Sequence, residues 1–303
     1  MAAATAATAT KGAGPGQEVV PLRHPWRVVS GAVVVLVLAL LLLRLGTLKN
    51  INYASITGHL FQSSILQGLL TTIELAVLSQ LIGIVLGTIL ATMRLSKNPV
   101  LSAVSWGYIW FFRGTPLIVQ VLFWFNGAPQ VLGPHVSLGP LYSGRTTDLL
   151  TVFVAGTLAL SLNEAAYMAE VVRAGLLSVD AGQIEAAEAL GMTRGLVLRR
   201  IVLPQAMRVV IPPTGNEFIS MLKNTALIEV LGQVELLGRA QAISSQNGEV
   251  FELLTMASIW YLVLTSIAYV GQYYLERRFA RGSLRDLPLT PLQRMHLTRR
   301  ARV

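Results

Sequence analysis

Six apolar stretches recur along the chain, at about 28–48, 65–93, 102–125, 149–177, 209–231 and 251–275, with short polar segments between them. Each exceeds the roughly 18 residues a helix needs to cross the hydrocarbon of a bilayer, so the pattern predicts six membrane-spanning helices. The second holds Gly83 and Gly87 in a G-x-x-x-G spacing that permits close helix packing. The third carries Gly114 and Pro116, which break a helix inside the apolar run, and the fifth is interrupted early by Pro212 and Pro213. Trp and Tyr at 106, 108, 110, 260, 261, 273 and 274 are expected as anchors at the membrane–water boundary.

Composition agrees with this pattern. Of 303 residues 53% are hydrophobic and 13% charged, about half the charge of an ordinary soluble domain. The net charge of +9 would suit nucleic acid, but the basic residues cluster in short segments beside the apolar runs, which is the signature of membrane orientation. With the N-terminus in the cytoplasm, eighteen of the 24 Lys and Arg fall on the cytoplasmic side. Lys49, Arg145 and Arg239 remain opposite, among Asp148, Glu229, Glu235, Glu249 and Glu252. Both termini are therefore expected inside. The first 26 residues are small and polar and read as a disordered tail, and 281–303 form a basic cytoplasmic tail. The run after the first tail is too long for a signal-peptide core and is expected to stay as a helix.

One polar segment has its own order. In GQIEAAEALGMTRGLVLRRIVLP, residues 182–204, Asp180 can cap a helix from Ala181, and Gly191 can end it in the left-handed conformation. Thr193 can cap a second helix that stops at Pro204. Ile184, Ala187 and Gly191 fall along one side of the first helix, and Glu185 and Glu188 along another. Alanines on a contact side let another protein approach the backbone, so the hairpin 181–204 reads as a docking element on the cytoplasmic face.

Its spacing resembles the EAA loop of ABC-importer permeases: Glu185-Ala186-Ala187, three residues, Gly191, nine residues, then Ile201-Val202-Leu203-Pro204. Further segments resemble the polar-amino-acid branch of the histidine, glutamine, glutamate and arginine type: SKNP (96–99), FRGTPLIVQ (112–120), AAYMAEVVRAG (165–175), LPQAMRVVIPPTGNEF (203–218) and LKNTAL (222–227). The resemblance implies an all-α polytopic fold, a five-helix type I permease core over 63–280, with the helix at 27–49 an addition. It implies a pair of permease subunits, identical or sister chains, two cytoplasmic ATPase subunits, an extracytoplasmic amino-acid-binding protein, and residence in the cytoplasmic membrane. Gln183, Glu185, Ala186, Ala187 and Gly191 are the implied ATPase-coupling residues. The chain has no G-x-x-x-x-G-K-[ST] phosphate loop, so ATP and Mg are expected on the partner subunits and no cofactor on this chain.

Charges inside apolar spans cost several kcal/mol unless they face a cavity or a partner. Asn163 and Glu164 lie deepest and are candidates for the substrate pathway, together with Thr115; a carboxylate at 164 favours a solute with a cationic group. Glu74 either reaches the outer surface or joins the pathway. Glu170 is expected to pair with Arg173 one turn later. Arg113 is expected to hold the break at Gly114–Pro116 by bonding freed carbonyls, and Glu217 and Lys223 to form internal ion pairs. The four histidines, His24, His59, His135 and His296, lie outside the predicted spans, which argues against an intramembrane serine protease or paired haem ligands. With no cysteine, thiolate chemistry and disulfides are excluded. A channel or ATPase-independent transporter would suit the buried charges, but has no need of the hairpin.

Overall fold

A computed structural model describes residues 25–47, 51–137, 139, 143–232 and 235–279. Both expected tails lie almost entirely outside the described residues. The chain divides into two compact units, 1–51 and 52–303. In the first, helix α1 spans Pro25–Thr47, with side chains exposed along Val29–Leu40.

Among its described residues the second unit is helical apart from a two-stranded hairpin, β1 (His135–Ser137) with β2 (Ser143–Arg145). Its helices are α2 (Tyr53–His59), α3 (Ser63–Arg94), α4 (Pro99–Gly114), α5 (Leu117–Leu122), α6 (Ala128–Leu132), α7 (Thr146–Leu149), α8 (Val152–Leu177), α9 (Ala181–Ala189), α10 (Arg194–Val197), α11 (Leu203–Asn224), α12 (Leu236–Asn247) and α13 (Val250–Phe279). Local chemistry sets several starts. Asn98 Oδ1 accepts from Val100 N at 2.9 Å ahead of Pro99, and Thr151 Oγ1 accepts from Val154 N at 3.3 Å, each satisfying an otherwise unpaired amide.

Among the described residues α3, α8 and α13 are long and apolar enough to cross a membrane. The third expected span carries the expected break at Gly114–Pro116 and is made of two helices. The chain turns by 103° between 99–114 and 117–132, because Pro116 offers no N–H to the Phe112 carbonyl and excludes the helical conformation at Thr115. The fifth expected span differs from expectation. Its helix begins at Leu203 rather than near 209, and runs through Pro212 and Pro213 without a break. Neighbouring α13 supports that stretch, Gln272 Nε2 donating to Pro212 O at 3.2 Å and to Asn216 Oδ1 at 3.1 Å. The remainder, Thr225–Leu231, is a turn of 3-10 helix.

The tightest pairing is α3 against α8, and glycines make it so. A Cβ on Gly83 would lie 2.5 Å from Glu164 Cγ, and one on Gly87 2.6 Å from Met168 Cβ. The expected G-x-x-x-G contact is therefore present. Leu90, Ile109, Ala165 and Ala169 join α4 to this pair, while Leu75, Leu160, Met221 and Ile228 form a second core toward the other end.

Helix α12 had no counterpart in the hydrophobic pattern. The buried Glu235 caps it, accepting from Gly238 N at 2.6 Å and Leu237 N at 2.9 Å, and its carboxylate also takes the Tyr261 hydroxyl at 2.8 Å. Burial pushes the Glu235 carboxyl above its ordinary value while these donors pull it back. Tyr261 is thus tied to a buried acid rather than placed as a boundary anchor. Likewise Tyr108 donates to Leu162 O at 2.9 Å and Trp260 Nε1 to Leu60 O at 2.9 Å, so these three aromatics join segments within the bundle.

Candidate functional site

At the break between α4 and α5 lies a cavity of about 510 Å³. Arg113, Gly114, Thr115, Pro116 and Leu117 form one wall, Asn163, Glu164 and Tyr167 of α8 another, and Glu217 and Asn224 of α11 a third, with Leu227. Three of the four residues expected on the pathway, Asn163, Glu164 and Thr115, meet here. Glu74 does not: it is exposed on α3 and away from the cavity, because α3 turns its glycine face, not its Glu74 face, toward α8.

Glu164 is only 4% exposed and accepts from Gln80 Nε2 at 3.1 Å. Its side chain occupies the space that Gly83 leaves empty. Arg113 is not the clamp of the break; its guanidinium lies over the Tyr167 ring, 5.2 Å from the centroid. Gln120 fills that role. Its Nε2 donates to Phe112 O at 2.9 Å, Thr115 O at 3.1 Å and Thr115 Oγ1 at 2.7 Å. Asn163 Nδ2 donates to the same Phe112 carbonyl at 2.9 Å and to Gln120 Oε1 at 3.2 Å. Two amide side chains thereby serve the acceptor that Pro116 orphans, since a buried carbonyl without a donor is costly.

Glu217 also departs from expectation. It forms no ion pair with Lys223 and faces the cavity instead; six residues apart on a helix, the two point in different directions. Lys223 lines a separate shallow pocket with Tyr261. The cavity therefore gathers one guanidinium and two carboxyl groups. The Glu170–Arg173 pair is present, Arg173 Nη2 standing 2.6 Å from the carboxylate. Sequence reasoning missed Gln80 and Gln120. Gln80 is in helical phase with Gly83 and Gly87, which marked it as facing α8; Gln120 lies eight residues beyond Phe112, a distance legible only once the bend is known.

The hairpin is the second candidate element. Helix α9 ends at Gly191, whose φ is +78°. Gly191 N donates to Glu188 O at 2.9 Å and Met192 N to Ala187 O at 3.1 Å, a pairing that uses the left-handed glycine to satisfy the last carbonyls. The starts differ from expectation, since neither the Asp180 nor the Thr193 side chain makes a capping bond. Pro204 does not end the second limb either: α10 passes through a π-helical turn at Leu198–Val202 into α11. The contact side is corrected as well. Ala187 is 3% exposed and packs with Val179, Val197, Val202 and Ala206, with Ile184 against them. The outward face is instead Gln183, Glu185, Ala186 and Glu188, with Leu190 84% exposed at the tip. Gln183 Oε1 also accepts from Gln205 Nε2 at 2.6 Å.

Comparison with known proteins places these elements in context. Residues 83–281 match the family described as "Binding-protein-dependent transport system inner membrane component". The arginine transport system permease protein ArgU of Corynebacterium glutamicum is 46% identical over 271 residues, 89% of this chain and 85% of that protein. The nopaline transport system permease protein NocM of Agrobacterium fabrum is 40% identical over 65% of this chain and 80% of its own. Among solved structures, an amino acid ABC transporter crystallised with histidines aligns at a TM-score of 0.65 with 34% identity, covering 75% of this chain and 99% of that one. The MetNI methionine ABC transporter shares the fold, with a TM-score of 0.56 and 18% identity over 72% of this chain and 97% of that one.

Proposed function

The chain belongs to the family of binding-protein-dependent transport system inner membrane components, and from that membership we propose that it carries a cationic amino acid through the cavity between α4, α8 and α11. The observation that carries the reading is the charge set: Arg113 on one wall, Glu164 and Glu217 on the others. A cationic amino acid presents one carboxylate and two cationic groups, the complement of that set. Arg113 is placed to take the α-carboxylate, and the two acids the ammonium and the side-chain cation. Asn163 and Thr115, whose own donors are engaged by Phe112, Gln120 and Phe111, hold the mouth of the break in shape. The printed function of the Corynebacterium relative, arginine transport, supports the same class.

In this reading the hairpin faces the cytoplasm and docks in one of two partner ATPases, which hold ATP and Mg, through Gln183, Glu185, Ala186 and Glu188. Gly191 keeps the two limbs at their angle, and Leu190 enters an apolar recess of the partner. A second permease subunit completes the pathway, and an extracytoplasmic binding protein delivers the solute. The structural basis for coupling is the shared apolar core of the hairpin around Ala187 and Val202, which makes the two limbs move as one piece.

The test is ATP-driven uptake by the assembled transporter in proteoliposomes. Labelled arginine or lysine is expected to compete out neutral glutamine. Glu164→Gln is expected to weaken the preference for arginine over glutamine by about ten-fold, the equivalent of one lost charge contact near 1.4 kcal/mol. An unchanged preference in both Glu164→Gln and Glu217→Gln would refute the assignment.

A further inference from the structure

A second depression of about 610 Å³ runs from the pathway cavity toward the end of the bundle that carries the hairpin. Its floor is Ile109, one wall is Trp106 and Trp110 of α4, and the other is Glu170 and Arg173 of α8. Arg94, the last residue of α3, closes the hairpin end. There Arg94 Nη1 donates to Ser102 Oγ at 2.8 Å. Arg113 and Tyr167 close the deep end, stacked on one another. The two indoles are stacked 6.3 Å apart and are 54% and 65% exposed.

We propose that this groove binds one anionic glycerophospholipid of the leaflet on the hairpin side, with its phosphate between Arg94 and Arg173 and an acyl chain along Trp106 and Trp110. Length is the first argument. From Ser102, beside Arg94, to Arg113 is about 16 Å of helix at 1.5 Å per residue, half of a hydrocarbon core of roughly 30 Å. The groove therefore spans one leaflet. Its polarity is graded in the same direction as a lipid's: two guanidiniums against one carboxylate at the boundary, then indole and aliphatic surface toward the interior. Basic pockets between helices at a membrane boundary select anionic headgroups.

Charge separates this occupant from two others. A second copy meeting the groove symmetrically would bring a second patch of the same net positive charge against it, because a two-fold interface joins identical patches. A cationic solute leaving the pathway would meet a net positive rim. The proposal rests on the membrane orientation argued above and not on which amino acid is carried, so failure of arginine uptake leaves it standing.

The test uses the full chain assembled with its ATPase partners, delipidated in detergent. Dioleoylphosphatidylglycerol is expected to raise the thermal midpoint and to be retained at one molecule per chain in native mass spectra. Dioleoylphosphatidylcholine and inorganic phosphate are expected to do neither. Arg94→Gln is expected to weaken retention roughly five-fold, the effect of one basic residue at a membrane surface. Trp106→Glu, at an exposed position that leaves the bundle core intact, is expected to do the same. Equal shifts with phosphatidylcholine, a shift with phosphate alone, or full retention by both variants would overturn the proposal. The chain has no native cysteine, so Trp110→Cys reports cleanly on a second copy. A disulfide-linked dimer forming spontaneously through that residue would likewise overturn it.

Discussion

Replacing Gly83 with alanine puts one methyl group where α3 and α8 meet. The new Cβ would stand 2.5 Å from Glu164 Cγ, 2.8 Å from Glu164 Cβ and 3.5 Å from Ala165 N. Ordinary contact begins near 3.5 Å, so the helices must part by about 1 Å or Glu164 must leave its rotamer. The Glu164 Cβ is fixed by the backbone, so a rotamer change relieves only the Cγ contact and leaves the 2.8 Å one. Overpacking of this kind costs about 1–3 kcal/mol, only partly offset by the better helix propensity of alanine, worth about 1 kcal/mol. Either response lengthens the 3.1 Å bond from Gln80 to Glu164. Gly107→Ala is the control, since a Cβ there meets nothing within 4 Å and is expected to be neutral or mildly stabilising. Thermal unfolding in detergent and initial-rate uptake would be measured for both. The expected result is a lower midpoint and a raised KM for Gly83→Ala, with Gly107→Ala keeping the wild-type KM and a midpoint no lower than wild type. Wild-type KM and midpoint in Gly83→Ala would refute the claim that this glycine makes room for the buried acid.

Two further predictions follow from the site. Gly191→Asp forces a side chain into a left-handed conformation at φ +78°, a strain of about 1–2 kcal/mol, and misdirects the second limb. Uptake and co-purification of the ATPase are expected to be lost while membrane insertion is retained, as fractionation and pull-down would report. Gln120→Leu removes the donors to Phe112 and Thr115 and the acceptor for Asn163. A loss of about 1–3 kcal/mol in unfolding free energy is expected, and a double-mutant cycle with Asn163→Ala should show non-additivity, since the two side chains share a bond and the Phe112 carbonyl.

How much was legible depended on which physics each residue obeys. Length and apolarity placed α3, α8 and α13 within a few residues, because hydrocarbon thickness sets both the pattern and the helix. The hairpin was readable from spacing, yet its faces were not. Ile184 and Ala187 looked like a contact side, but they serve the hairpin's own core, which only the position of Val197 and Val202 reveals. Proline misled twice in one direction. Pro204, Pro212 and Pro213 were read as interruptions, although a helix with neighbours on both sides keeps its course through them. Charges were misplaced for another reason. Glu217 was matched to Lys223 by proximity in sequence, whereas its surroundings come from Arg113 and Glu164, more than fifty residues away. Helix α12 left no apolar signature, since a carboxylate cap and its buried partners, rather than periodicity, hold it.

The unbroken helical path from Arg194 to Asn224 has a mechanical corollary. Between Arg194 at the tip and Glu217 it measures about 35 Å at 1.5 Å per residue, and a bar of that length multiplies small rotations. Tilting it by about five degrees around either extremity sweeps the other through roughly 3 Å, comparable to a hydrogen-bond length. A torque applied at the hairpin end can thus shift Glu217 across the cavity relative to Arg113 and Glu164 without any helix unwinding.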